Sequence, residues 1–144
     1  MLEPKNWLGE GKIKLSMVEE ELDFFTKWNM GALDPEGQIP AVQEVEIKGM
    51  SDVMLNKFLI TDITATTFTI ELENASLGTI VGKGVIKKNL IAWEFRDNEL
   101  EFEGFEFYEK QEDGSYLMRA EYATSDQYRT TIRGKIWEKQ PQET

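Results

Sequence analysis

An alternation of apolar and polar residues with period two, repeated along nearly the whole chain, constrains the fold more than any other feature. Trp7, Gly9, Gly11, Ile13 and Leu15 alternate with Glu10, Lys12 and Lys14. Gln43, Val45 and Ile47 alternate with Glu44, Glu46 and Lys48, and Phe68, Ile70 and Leu72 with Thr69, Glu71 and Glu73. Leu100 and Phe102 stand against Glu99, Glu101 and Glu103. Tyr128, Thr130, Ile132 and Ile136 stand against Arg129, Thr131, Arg133 and Lys135. Side chains of a strand point alternately to its two faces, so each run has one buried and one wetted side. That is antiparallel sheet with its charged face outward.

Turn chemistry falls between the runs. Asp34-Pro35-Glu36-Gly37 places Pro second and Gly fourth, and Glu112-Asp113-Gly114-Ser115 carries an Asp-Gly pair that favours a type I′ hairpin. Asn74-Ala75-Ser76, Lys88-Asn89 and Asp97-Asn98 are weaker breaks of the same kind. The runs between them number roughly ten and follow one another as a meander. A sheet of that size must protect its edges, and closing into a barrel removes them. The expected fold is therefore all-β: a single antiparallel up-and-down barrel of about ten strands. It would form one domain over 1–144, with its core over about 6–138 and a tail over 139–144.

One segment reads two ways. Val18, Leu22, Phe25 and Trp28 have helical spacing behind Ser16-Met17-Val18-Glu19, which matches a capping box. Leu22, Phe24, Thr26 and Trp28 also alternate, and a strand from about Glu20 to Asn29 is the preferred reading; a helix here would act as a lid or plug. Gly9-Glu10-Gly11 and Gly82-Lys83-Gly84 each give half of a dinucleotide-binding fingerprint, but neither continues to a third glycine opening a helix. Glycine within a strand more often admits a sharp bend or the close passage of a bulky ring.

Composition excludes several classes of chemistry. The chain of 144 residues has no histidine and no cysteine, so Ser/His/Asp and Cys/His nucleophile systems, Cys/His zinc sites, His-ligated haem and disulfides cannot be built. No cofactor and no metal site are expected. A net charge of -11 repels phosphate backbones and anionic lipid surfaces, so neither nucleic acid nor membrane insertion is expected. No apolar run approaches the roughly 18 residues of a membrane-spanning helix. Without a basic, apolar leader at its start, the chain is expected to be cytoplasmic, and the sequon at Asn74 carries no weight.

The opening Trp7-Leu8-Gly9-Glu10-Gly11 strand, followed by a meander of this length, resembles the calycin-like barrels: lipocalins, fatty-acid-binding proteins and nitrobindin-like domains. The likeness is architectural, over about residues 6 to 138. Lys5 stands where lipocalins carry a glycine, and the histidine with which nitrobindin-like domains hold haem has no counterpart. The resemblance implies a lipocalin-like barrel that holds a small apolar or amphipathic molecule in its interior.

With the charged faces outward, Phe24, Trp28, Met54, Phe58, Phe68, Trp93, Phe95, Phe102 and Met118 face inward. Gln43, Asn56, Glu106, Tyr122, Tyr128 and Thr130 lie among them. Such rings either fill a small barrel or line a cavity, whereas buried amides and carboxyls cost stability unless paired, which marks the polar set as a candidate site. The candidate ligand-binding residues are Trp28, Gln43, Asn56, Trp93, Glu106, Tyr122 and Tyr128. Glu106 points inward if Gly104 lies in regular strand; a bulge at Gly104 would turn it out and bring Phe105 and Phe107 in, and the sequence leaves both open. Inside, Glu106 would have a raised pKa and could serve as anchor, acid or base.

Glu94 and Arg96 read as a surface ion pair. Arg119, Arg129 and Arg133 fall on the outer face, and Glu99, Glu101 and Glu103 read as a solvated acidic strip. Three functions follow: a non-enzymatic binder of a small molecule, an isomerase or hydro-lyase with Glu106 as base and Tyr122 or Tyr128 as donor, and an acidic protein-interaction module.

Overall fold

The computed structural model describes residues 1–97, 99, 101–124 and 129–140. The alternating runs become ten strands: β1 (Asn6–Leu15), β2 (Leu22–Met30), β3 (Ile39–Ile47), β4 (Val53–Thr61), β5 (Thr67–Asn74), β6 (Gly78–Lys87), β7 (Leu90–Asp97), β8 (Phe102–Lys110), β9 (Tyr116–Ala123) and β10 (Arg129–Glu138). Each strand pairs antiparallel with the next, and β10 returns to pair with β1, so the sheet closes with no free edge. No helix occurs among the described residues. The segment with two possible periods is strand β2, because Phe24, Thr26 and Trp28 all find the barrel interior.

Burial follows the two-residue period. The buried core includes Trp7, Ile13, Phe24, Trp28, Phe58, Phe68, Trp93, Phe95, Phe102, Tyr108, Met118 and Ile136. Five rings from five strands meet at its centre: Trp28 stacks on Phe58 at 5.0 Å, Trp93 stacks on Tyr108 at 5.1 Å, and Phe68 meets Trp93 at 6.3 Å. A Cβ on Gly84 would stand 2.1 Å from the Phe68 ring, so that glycine admits the ring rather than cradling a phosphate.

The two ends of the barrel differ. At one, Met1, Trp7 and Tyr116 are buried; the terminal ammonium donates to the Tyr116 hydroxyl at 2.9 Å, and Trp7 meets the Tyr116 ring edge-on. At the other, the inward positions Leu15, Leu22, Asn56, Tyr122, Thr130 and Ile132 are only half-buried. Among the described residues that end is the more open one, the mouth of the barrel.

Four expectations need correction. Met54 shares the inward parity of Asn56 and Phe58, yet it is 47% exposed because it sits at the mouth, beyond the packed rings. The Asp113-Gly114 hairpin is not type I′: only Gly114 has a positive φ, and the Gly114 amide donates to the Gln111 carbonyl. It is a type I turn followed by a left-handed glycine, and the Asp34–Gly37 connection is built in the same way. The acidic alternation at Glu99 and Glu101 is turn rather than strand, with Glu101 at φ 49°, and only Glu103 lies on β8; Leu100 falls outside the described residues. Arg96 pairs across the sheet with Glu103 at 3.5 Å, not along its own strand with Glu94, because neighbours on one strand face are farther apart than directly opposed residues.

Candidate functional site

Two hydrogen-bonded polar groups interrupt the apolar interior. The first centres on Glu106. Gly104 pairs in regular register with Phe95 and Tyr122, so no bulge intervenes; Glu106 points inward and is 2% exposed. Phe105 and Phe107 face out, in contact with each other. The Trp93 indole N–H donates to Glu106 Oε2 at 3.1 Å and the Tyr108 hydroxyl to Oε1 at 2.7 Å, while the Tyr122 hydroxyl also donates to Oε2. A Cβ on Gly104 would stand 2.2 Å from the Tyr122 ring, so the absence of a side chain there lets Tyr122 fold down onto the carboxylate.

Three neutral donors, and no cation in ion-pair contact among the described residues, surround this carboxyl. Burial raises its pKa, and the hydrogen bonds from Tyr122, Tyr108 and Trp93 offset only part of that rise. Burial, reinforced by the nearby Glu106 charge, pushes the Tyr108 and Tyr122 hydroxyls well above the ordinary tyrosine range, so both remain donors. Tyr122 is half-buried, stacks on Phe102 at 5.7 Å and lies between Glu106 and the mouth.

The second group is a relay of uncharged side chains across β5, β4, β3 and β2. Asn74 Nδ2 donates to Asn56 Oδ1 at 3.0 Å, Asn56 Nδ2 to Gln43 Oε1 at 3.2 Å, and Gln43 Nε2 to Thr26 Oγ1 at 3.1 Å. Thr26 ends the chain by donating to the Glu44 carbonyl at 2.9 Å. The relay runs from half-buried Asn74 and Asn56 at the mouth to buried Gln43 and Thr26.

Of the candidates read from the sequence, Trp93, Glu106 and Tyr122 come together in the first group, and Gln43 and Asn56 in the second. Trp28 belongs to the ring cluster, where its indole N–H is buried without a hydrogen-bond partner. Tyr128 lies outside the described residues. Sequence reasoning missed Tyr108, Thr26 and Asn74, although parity marks all three: Tyr108 is two residues from Glu106, Thr26 lies between Phe24 and Trp28, and Asn74 is two beyond Leu72.

Chemically, the Glu106 group can hold or exchange a proton with Tyr122, and it can anchor a polar ligand group that displaces the Tyr122 hydroxyl. Its carboxylate oxygens are otherwise occupied. A scan against protein-family models finds no match, and neither does a search of curated protein sequences.

Proposed function

We propose that the protein is a non-enzymatic binder of a small amphipathic molecule, held in the open end of the barrel. The observation that carries this reading is the contrast between the ends: one is closed by Met1, Trp7 and Tyr116, while at the other the inward Leu15, Leu22, Tyr122, Thr130 and Ile132 remain half-buried. The ligand's apolar part would lie on Leu15, Leu22, Ile132 and Phe102. Its polar end would meet Tyr122 and Glu106 on one side, and Asn56 and Gln43 on the other. A concave, mostly apolar site with a few convergent polar groups is the usual form of a small-molecule pocket. The filled middle of the barrel limits the ligand to the mouth rather than a through-cavity. This use of a meandering barrel resembles that of lipocalins and fatty-acid-binding proteins, and the kinship itself is part of the proposal.

A second reading has Glu106 as the base of an isomerase or hydro-lyase, and its burial beside tyrosine hydroxyls favours it. The three donors already on the carboxylate favour the anchoring role, because a base needs a free lone pair directed at its substrate.

The test is titration with 8-anilinonaphthalene-1-sulfonate, read by fluorescence and by native mass spectrometry. Saturable one-to-one binding, lost when Ile132→Trp fills the mouth, supports the reading. An absence of saturable binding, or equal binding by the Ile132→Trp variant, overturns it.

A further inference from the structure

A groove of about 1480 Å³ crosses the outer face of the barrel, on the opposite side of the sheet from the mouth's inward residues. Two cross-strand rows of outward side chains line it, with Gly11, Phe24, Met118 and Gly134 in the row between them. In the first, Phe107 of β8, Arg119 of β9, Arg133 of β10, Lys12 of β1 and Asp23 of β2 occupy successive register positions. In the second, the order is Glu109, Leu117, Lys135, Glu10 and Phe25.

Both rows are unusual for a surface that only meets water. Arg119, Arg133 and Lys12 stand directly opposite one another on neighbouring strands, an arrangement of like charges that weakens a sheet. Lys12 is paired with Asp23 and Arg133 with Glu21, but Arg119 has no carboxylate partner among the described residues and lies over the Phe107 ring at 5.7 Å. Between the charges Phe25 is 53% exposed and Leu117 47%.

The charge distribution of the whole chain sharpens the point. With Lys48, Lys87 and Lys88 at its ends, the groove gathers seven of the chain's 16 Lys and Arg against three of its 27 Asp and Glu. Its lining therefore carries four net positive charges, two of them offset by Glu21 on Arg133 and Asp113 on Lys135 at its border, and the rest of a chain of net charge -11 carries fifteen net negative ones.

We infer that this groove is a docking site for an acidic polypeptide segment that carries apolar side chains. The cations are spread along the groove, whereas an amphiphile with one anionic head would need them clustered at one end of a continuous apolar slot. Phe25, Phe107 and Leu117 are instead separated by charged residues, which suits a chain with alternating acidic and apolar side chains. A nucleic acid has a uniform anionic backbone and no apolar side chains to meet Phe25, Phe107 and Leu117, whereas an acidic segment can supply both. From Leu90 on β7 to Lys48 beyond β3 the groove crosses seven strands, roughly 29 Å at about 4.8 Å per strand, which is the length of about nine extended residues.

The experiment is fluorescence anisotropy of a fluorescein-labelled twelve-residue peptide of repeating Glu-Phe-Asp-Leu, with the full chain. A Lys-Phe-Lys-Leu peptide and a twelve-nucleotide oligothymidylate serve as comparisons. The expected result is saturable binding of the acidic peptide alone, weakening as salt rises from about 50 to about 300 mM. Arg119→Glu is expected to lower affinity by about tenfold, and Phe25→Ser to lower it without changing the salt dependence. Both positions are on the outer face, and circular dichroism checks their folding; if Arg119→Glu misfolds, Phe25→Ser and the salt dependence decide. The inference is overturned if the acidic peptide shows no saturable binding, or if both variants bind like the parent. It is also overturned if the oligonucleotide binds as tightly, or if the groove proves to be covered by a second copy in a dimer that Arg119→Glu dissolves. None of these outcomes involves the mouth, so the two sites are judged independently.

Discussion

Tyr108→Phe isolates the Glu106 group with little other disturbance. The ring stays where it stacks on Trp93 and meets Trp28 edge-on, and only the hydroxyl that donates 2.7 Å to Glu106 Oε1 is lost. Tyr108 is 0% exposed and Glu106 2%, so water does not readily replace the missing donor. Leaving a buried acceptor without its donor costs about 1–3 kcal/mol, and the expected loss is about 2 kcal/mol. At about 4 °C per kcal/mol for a chain of this size, the melting temperature falls by about 8 °C. Urea denaturation at neutral pH measures the first quantity and calorimetry the second. The decisive comparison repeats Tyr108→Phe in a Glu106→Leu background. There the hydroxyl has lost its acceptor, and removing it should be neutral or stabilising, which gives a coupling of about 2 kcal/mol in a double-mutant cycle. An equal cost in both backgrounds would refute the argument, since the loss would then belong to the tyrosine's packing and not to the carboxylate.

Three further outcomes follow from the same geometry. Gly104→Ala puts a Cβ against the Tyr122 ring, and denaturant unfolding should show a loss of about 1–3 kcal/mol as Tyr122 is pushed off Glu106. Burial raises the Glu106 pKa above its unfolded value, so the native state binds more protons over the window that starts near pH 4.5 and extends upward. Its stabilising contribution is fully present below that window and is lost as pH rises through it; the melting temperature of Glu106→Gln relative to the parent should therefore rise with pH across the window, and a constant difference would contradict this. Gln43→Leu leaves the Asn56 amide and the Thr26 hydroxyl without their shared partner, and equilibrium unfolding should register a cost of about 1–3 kcal/mol, against a near-neutral effect for the exposed Glu44→Gln on the same strand.

The strands, their order and the inward set were legible in the sequence because a strand's side chains alternate by stereochemistry alone, and a meander of amphipathic strands has few ways to bury one face. Parity placed Trp28, Gln43 and Trp93 inside and would have placed Thr26 and Asn74 there had it been carried through, whereas Glu106 and Tyr108 stayed open with the possible bulge at Gly104. Parity gives the face but not the depth: Met54 and Phe58 share a face, yet only Phe58 lies below the mouth. Local periodicity also cannot report what sits across the sheet. That Gly104 is unbulged, that Tyr122 folds over it to reach Glu106, and that the amides of Asn74, Asn56 and Gln43 join in one relay all depend on the register between strands. Closure of β10 onto β1 fixes that register and brings Arg119, Arg133 and Lys12 into a single row on the outer face. Residues so distant along the chain meet only when the ring of strands is complete, and for that reason the polar interior and the basic groove belong to the tertiary structure, while the barrel itself was already written in the alternation.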